Sequence, residues 1–183
     1  MQTYKNTLII NLIGGPCCGK STISAELFSR LKKMGIKCEL CPEYIKDRIY
    51  EDNKTIPTNQ IAIFGMEHYG ISTKIGKVDC IIHDGSFINN IEYNCEDNPK
   101  FNELVVSEYN RYNNLDFFID RGTIPFEDYG RIHDLEQSKN IDIEIKKLYE
   151  KYGLKYIQVE SRDAVDKMIP IILEKIKNLH RDD

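Results

Sequence analysis

The chain has 183 residues, a net charge of −4 and an isoelectric point of about 5.6. Its apolar fraction of 41% and charged fraction of 30% are typical of a globular protein and exclude a disordered chain. No apolar run approaches the ~18 residues of a membrane span, and the N-terminus lacks a signal-peptide pattern. We therefore expect one cytoplasmic domain over residues 1–183, with no membrane partner. The acidic balance also makes a nucleic-acid partner unfavourable.

Strands and helices are predicted to alternate along the chain. Short apolar runs predict five strands, at residues 7–13, 36–41, 78–83, 115–120 and 154–159. Apolar residues spaced three and four apart predict helices at about residues 20–34, 45–50, 57–75, 99–112, 141–152 and 164–179. The polar segment at about 121–140 is predicted to form a small lid. This order predicts an α/β fold with a five-stranded parallel sheet and helices on both faces.

Two helices carry apolar stripes that are expected to be buried. The stripe of the first helix consists of Ile23, Leu27, Leu31 and Met34. The stripe of the third predicted helix consists of Ile61, Phe64, His68, Ile71 and Ile75. Gln60, Phe64, Glu67 and His68 lie on this helix and are candidates to wall a binding site, although a helix packed on a sheet shows this pattern without any ligand. Phe64 is expected to belong to the core.

A glycine-rich motif lies between the first strand and the first helix. Residues 14–21, GGPCCGKS, match the Walker A pattern GxxxxGK[ST] at every fixed position. In this context, glycines turn backbone N–H groups toward phosphates, the lysine reaches the β- and γ-phosphates of ATP, and the serine hydroxyl binds Mg²⁺. The motif predicts a P-loop NTPase fold. The predicted nucleotide-binding residues are Gly14, Gly15, Pro16, Cys17, Cys18, Gly19, Lys20, Ser21 and Thr22.

Carboxylates follow the second and third predicted strands. Asp84 comes directly after the third strand, where P-loop proteins place a carboxylate beside Mg²⁺. Gly85 and Ser86 follow it, rather than the Glu that activates water in many ATPases, which favours transfer to a bound acceptor over hydrolysis. Ligands of parallel sheets sit beyond the carboxyl ends of the strands, so Glu43 is predicted to orient or deprotonate an acceptor hydroxyl. The simpler alternatives are a turn-forming Asp84 and a solvent-facing Glu43.

Two arginines of the predicted lid are candidates to contact the transferred phosphoryl group. Arg121 follows the fourth strand and Arg131 lies ten residues later. An arginine that reaches a transferred phosphoryl group stabilises its developing negative charge. Both are therefore predicted to be catalytic, although surface ion pairs with neighbouring carboxylates, which stabilise little, are the alternative.

The cysteines and one histidine are predicted to be structural. All six cysteines are expected to be reduced thiols, because there is no export signal and two of them lie in the phosphate loop. Cys38 and Cys41 form a single CxxC, and on a strand they would point to opposite faces, which argues against a metal site. His83 is expected to face away from Asp84.

With these residues in place, the chain resembles the small P-loop nucleoside and nucleotide kinases. The resemblance is to the ribosylnicotinamide-kinase-like group and to compact P-loop ATPase/kinase proteins often encoded by phages, which would place the protein in the host cytoplasm. It implies that the strand before Asp84 lies next to the P-loop strand, that Mg-ATP is the phosphoryl donor, and that the lid carries Arg121 and Arg131. The chain departs from the pattern in lacking an Arg directly after Asp84 and in carrying two thiols in the loop.

We predict an ATP-dependent kinase for a small nucleoside, nucleotide or riboside-like acceptor. The alternative is a nucleotide-dependent switch or ATPase that acts through a protein partner. A polynucleotide 5′-hydroxyl kinase would need a basic groove, and no basic cluster appears in the sequence. The identity of the acceptor stays open at this point, as does the choice between ATP and GTP.

Overall fold

The computed structural model describes residues 4–51, 55–94, 98–123, 125–126 and 133–179. Five parallel strands form one sheet in the order β2-β3-β1-β4-β5. The strands are β1 (Tyr4–Ile13), β2 (Cys38–Cys41), β3 (Cys80–His83), β4 (Tyr112–Asp120) and β5 (Ile157–Glu160). The predicted five-stranded parallel sheet is confirmed. The strand before Asp84 does lie next to the P-loop strand, as the resemblance implied.

Seven α-helices accompany the sheet in the described part of the chain. They are α1 (Lys20–Lys33), α2 (Tyr44–Tyr50), α3 (Gln60–Ser72), α4 (Asn89–Glu92), α5 (Pro99–Tyr109), α6 (Leu135–Lys151) and α7 (Ala164–Leu179). A 3₁₀ turn, Ile56–Thr58, precedes α3. The short helix α4 was not predicted from the sequence. No helix of the described residues combines the length and apolar character that crossing a membrane requires.

Two hydrophobic cores lie on opposite faces of the sheet. Leu8, Ile10 and Leu12 of β1 belong to the core that packs against α1 and α7, whereas Ile9 and Ile13 belong to the core against α3, α5 and α6. This alternation follows from the two-residue period of a strand, and it explains why β1 carries apolar residues on both faces. Cys38 and Cys41 divide between the same two cores, as their spacing predicted.

Two residues of the stripes that were predicted to be buried are exposed. Met34 is 54% exposed because α1 ends at Lys33 and the chain turns through Gly35, which has a left-handed φ of 83°. Ile61 is 56% exposed. The buried face of α3 instead runs through Gln60, Ile63, Phe64, Glu67 and Ile71.

Two strand boundaries also differ from the prediction. Tyr112 was assigned to the end of a helix, but it is 2% exposed and pairs with Tyr4 of β1 as the first residue of β4. Leu154 was assigned to the fifth strand, but its N–H donates to the carbonyl of Tyr149 and closes the end of α6. Strand β5 therefore starts only at Ile157.

Helix α6 begins six residues earlier than predicted, so residues 135–140 are helix rather than lid. Asp134 starts it with a capping box, in which its carboxylate accepts from the N–H of Gln137 and the Gln137 side chain accepts from the N–H of Asp134, both at 2.8 Å. The first turn of this helix is polar, so its start could not be predicted from the spacing of apolar residues. One residue of the turn, Ser138, is fully buried against the phosphate loop.

The capping box predicts a stability effect. Asp134→Ala leaves the N–H of Gln137 without its side-chain acceptor, so we expect a loss of about 1 kcal/mol in unfolding free energy, or about 2–4 °C in Tm for a chain of this size. Thermal denaturation followed by circular dichroism measures it. Lys139→Ala, an exposed change in the same helix, is the matched control, and an equal Tm for the two variants would contradict the assigned cap.

Candidate active site

The phosphate loop joins β1 to α1 in a conformation that glycine makes possible. Gly14 and Gly19 have positive φ angles of 140° and 96°. A side chain at Gly15 would overlap the backbone carbonyl oxygen of Ser138, so the loop and α6 approach each other as closely as backbones allow. Cys17 also has a positive φ, of 63°, which is uncommon for a residue with a side chain.

The lysine of the motif folds back onto its own loop. Lys20 Nζ donates to the carbonyl oxygens of Gly14 at 2.8 Å and Gly15 at 2.9 Å. Ser21 and Thr22 lie in the first turn of α1, whose N–H groups and dipole favour an anion. Cys18 is fully buried beneath the loop, and burial raises the pKa of its thiol. These contacts give the loop one defined shape before any phosphate binds.

Asp84 lies buried at the carboxyl end of β3. Its N–H donates to the carbonyl of Cys41 at 2.9 Å, which ties it to the end of β2. The residue is 6% exposed, and Oδ1 has no hydrogen-bond partner among the described residues. A buried carboxylate oxygen without a partner is costly unless a ligand or cation meets it. Oδ1 of Asp84 is therefore an oxygen atom that a ligand or cation could meet.

One cavity, which we call the strand-end cavity, brings the predicted residues together. Its lining includes Gly14, Pro16 and Lys20 from the loop, Glu43 and Asp84 from the strand ends, and Gln60, Glu67 and Asn90 from α3 and α4. Glu43 is half-buried at the N-terminus of α2. The cavity thus lies where ligands of parallel sheets bind, beyond the carboxyl ends of β2, β3 and β1.

Two residues of this cavity were missed in the sequence. Asn90 and Tyr93 come from α4 and the residue that follows it, which no apolar period marks. The sequence indicates the Asp-Gly-Ser turn after β3. It does not indicate that the residues following this turn also line the cavity. His68, considered as part of the same wall, instead contacts Glu108 and Tyr112 at 3.1 Å.

A buried chain of polar groups leads from β1 to Glu67, which lines the strand-end cavity. Asn11 of β1 donates through Nδ2 to Asp116 at 2.6 Å, so its Oδ1 accepts from Nδ1 of His83 at 3.2 Å. This leaves His83 Nε2 unprotonated, 3.8 Å from Oε2 of Glu67. Burial lowers the pKa of His83 to about 3, so the ring is neutral at physiological pH. The structural role expected for His83 is thereby supported.

Glu67 continues this chain into the cavity. Its Oε2 accepts from Nδ2 of Asn90 at 2.9 Å. Burial raises the pKa of Glu67 to about 8, with smaller contributions from Glu43 and Asp84, while the Asn90 hydrogen bond acts in the opposite direction. At neutral pH the Glu67 carboxyl group is therefore mostly protonated, and Asn90 Oδ1 lacks a partner among the described residues.

Arg121 supports the phosphate loop and is not among the residues that line the cavity. Its guanidinium pairs with Asp142 Oδ2 at 2.5 Å and donates to the Ser138 hydroxyl at 2.8 Å and to the Pro16 carbonyl at 3.3 Å. Asp142 Oδ1 also accepts from the N–H of Gly15 at 2.6 Å. These contacts join the end of β4, α6 and the loop, and the role of Arg121 at the transferred phosphoryl group stays a prediction. Arg131 lies outside the described residues.

These features define a P-loop NTPase fold of the type found in small kinases. Deoxyadenosine kinase from M. mycoides, whose structure holds the products dCMP and a flexible dCDP, matches with a TM-score of 0.54 and 19% identity over 94% of this chain and 100% of its own. Shikimate kinase from Aquifex aeolicus vf5 matches with a TM-score of 0.50 and 20% identity over 92% and 96%. At these identities the likeness establishes the fold, and it confirms the predicted kinase-like architecture.

The chain belongs to the P-loop family described as AAA domain, whose model matches residues 9–167. No curated protein matches the chain.

The raised pKa of Glu67 predicts a pH-dependent stability. Between its ordinary pKa of 4.5 and about 8, the unfolded chain has lost a proton that the folded protein keeps, so the unfolding free energy falls as pH rises. Glu67→Gln removes this titration and preserves an oxygen for Asn90. We expect the Tm difference between the variant and the wild type to grow from pH 5 to pH 8 by several degrees, at about 2–4 °C for each kcal/mol.

Thermal denaturation at four pH values across this range measures that difference. Glu103→Gln is the control, because Glu103 is exposed on α5 and should give a Tm difference that does not change with pH. A constant difference for Glu67→Gln would show that the carboxyl group is ionised in the folded protein.

The contacts of Asp142 with the loop lead to a prediction about the affinity for phosphate groups. Asp142→Asn removes the charge that holds Arg121 and weakens the acceptor of the Gly15 N–H, so the loop loses its fixed shape. We expect Mg-ADP affinity to fall by about tenfold or more, since the partly buried guanidinium of Arg121 loses its anionic partner and no longer holds the loop. Calorimetric titration measures it. Asp166→Asn, which breaks an exposed pair with Arg30, is the control, and equal affinities would contradict the role assigned to Asp142.

Proposed function

We propose that the protein is an ATP-dependent phosphotransferase that moves the γ-phosphoryl group to a hydroxyl of a small acceptor in the strand-end cavity. The observation that carries this proposal is the buried carboxylate of Asp84, whose Oδ1 lacks a partner among the described residues, in the same cavity as Lys20 and Glu43. A carboxylate, a phosphate-loop lysine and a second carboxylate around one cavity suit phosphoryl transfer. A hydrolytic role is disfavoured because Gly85, rather than a Glu, follows Asp84.

The donor nucleotide would be held by the phosphate loop. Its backbone N–H groups and the first turn of α1 would bind the phosphates, and Lys20 would leave the carbonyls of Gly14 and Gly15 for the β- and γ-phosphates. This exchange costs little, because the ammonium moves from neutral carbonyl oxygens to anionic phosphate oxygens.

Ser21 and Asp84 fit Mg²⁺, because both supply the hard oxygen atoms that this ion prefers. The ion would neutralise charge on the β- and γ-phosphates. No group of three or more His, Cys, Asp or Glu side chains among the described residues is arranged to hold a metal ion. The remaining ligands would therefore be phosphate oxygens and water, as Mg²⁺ commonly retains.

Glu43 is assigned to the acceptor. It lies at the carboxyl end of β2, at the N-terminus of α2, and lines the cavity with Asp84. A carboxylate here can orient the acceptor hydroxyl and take its proton as the oxygen attacks the γ-phosphorus. Arg121 and Arg131 keep their predicted roles at the transferred group, and Arg121 also holds the loop in place.

The two structural neighbours support the reaction class. Deoxyadenosine kinase and shikimate kinase, by their names, phosphorylate small molecules with hydroxyl groups. Their acceptors differ in chemistry, so the shared fold supports phosphoryl transfer and leaves the acceptor to the residues of this chain's own cavity.

The experiment is an ADP-release assay with Mg-ATP and a panel of hydroxylated acceptors, namely nucleosides, nucleoside monophosphates and shikimate. We expect ADP that depends on a particular acceptor. Lys20→Ala and Asp84→Asn should each lower the rate by about 10²–10³-fold, because each removes preorganised electrostatic stabilisation. Asp166→Asn, on the surface of α7, should leave it unchanged. ADP release at one rate with every acceptor and with none would show an ATPase, and nucleotide binding without turnover would indicate a switch.

A further inference from the structure

The strand-end cavity has a distribution of charge that restricts its acceptor, if the protein is the phosphotransferase proposed above. Among the described residues, three carboxyl groups line it, those of Glu43, Glu67 and Asp84. The lysines among its described lining residues are Lys20, which belongs to the phosphate loop, and Lys46 on α2. No arginine is among the described residues that line it.

Among the buried residues that line the cavity are three polar side chains, which we call the cavity floor. Gln60, Glu67 and Asn90 line it and are 7%, 8% and 4% exposed. Asn90 Nδ2 donates to Glu67 Oε2 at 2.9 Å and to the Phe87 carbonyl at 3.2 Å, whereas its Oδ1 has no partner among the described residues. A buried carboxamide oxygen left in this state calls for a hydrogen-bond donor from a ligand.

Apolar side chains and one aromatic ring complete the walls. Ile45 and Ile49 come from α2, Ile63 comes from α3, and Tyr93 follows α4. A cavity with apolar walls and a few convergent amides and carboxyls is suited to a flat, uncharged ring system with polar edges.

From this arrangement we infer that the acceptor is an unphosphorylated nucleoside, bound with its polar groups on Gln60, Glu67 and Asn90. A phosphate monoester on the acceptor would need paired cationic donors, for which arginine is the best suited residue. The floor offers amides and carboxyls instead, and Glu43 and Asp84 would repel an added dianion. The same groups disfavour a carboxylate-bearing acceptor.

The test measures binding separately from turnover. Calorimetric titrations in Mg²⁺ and a non-hydrolysable ATP analogue compare each of four nucleosides with its own 5′-monophosphate, and with shikimate as an anionic acceptor. We expect at least one nucleoside to bind about tenfold or more tightly than its monophosphate, from the like-charge repulsion alone. Equal or tighter binding of the monophosphate, or binding by no nucleoside, overturns the inference.

Variants of the floor test the assigned contacts. Asn90→Ala should weaken nucleoside binding about tenfold or more and leave binding of the ATP analogue unchanged, since a site built to hydrogen-bond its ligand discriminates through those bonds. Asn140→Ala, an exposed change on α6, is the matched control. If Asn90→Ala does not fold, Gln60→Ala at the start of α3 gives the same test. Unchanged nucleoside affinity in the folded variant contradicts the assignment.

The two proposals fail in different ways. Phosphorylation of monophosphates in preference to nucleosides would leave the phosphotransferase standing and overturn the inference. Preferential nucleoside binding with no acceptor-dependent ADP would overturn the phosphotransferase and leave the binding preference in place.

Discussion

The phosphate loop is fixed by one partly buried carboxylate, that of Asp142. One of its oxygens accepts from the N–H of Gly15 and the other pairs with Arg121, which in turn contacts the Pro16 carbonyl. The loop, the end of β4 and the first turns of α6 are thereby joined at a point where Gly15 leaves no room for a side chain. Because the loop defines where the γ-phosphate would lie, every distance to the acceptor depends on this junction.

The sheet places further functional residues beside the phosphate loop. Parallel strands end at one edge, so the residues after β2 and β3 reach the same cavity as the loop after β1. On one face of these strands, Asn11, His83 and Glu67 form a polar line from the sheet interior to the cavity floor. The imidazole in this line is neutral, because burial lowers the pKa of His83 to about 3, so the line places no cation inside the apolar core.

Much of the fold and of the candidate site was predictable from the sequence, and there are physical reasons why the other parts were not. The loop, Glu43 and Asp84 were found because their signals are local, being a motif and two strand ends. Arg121 was also identified, but its pairing with Asp142 was not, because Asp142 lies on a helix whose polar first turn hid its start. Asn90 was missed, since a single turn of helix has no period to detect. Arg131 stays a prediction.

The cavity floor also belongs to the protein core, and this has a consequence for how the site can evolve. Asn90 and Glu67 hold α4 against α3, so a substitution that changes which ligand they accept also changes the packing of the domain. Helix α2 is different, because none of its residues is buried, yet Ile45, Lys46 and Ile49 face the same cavity. In relatives that bind other acceptors, we therefore expect the first substitutions in α2, where a change of acceptor specificity does not disturb the packing of the fold.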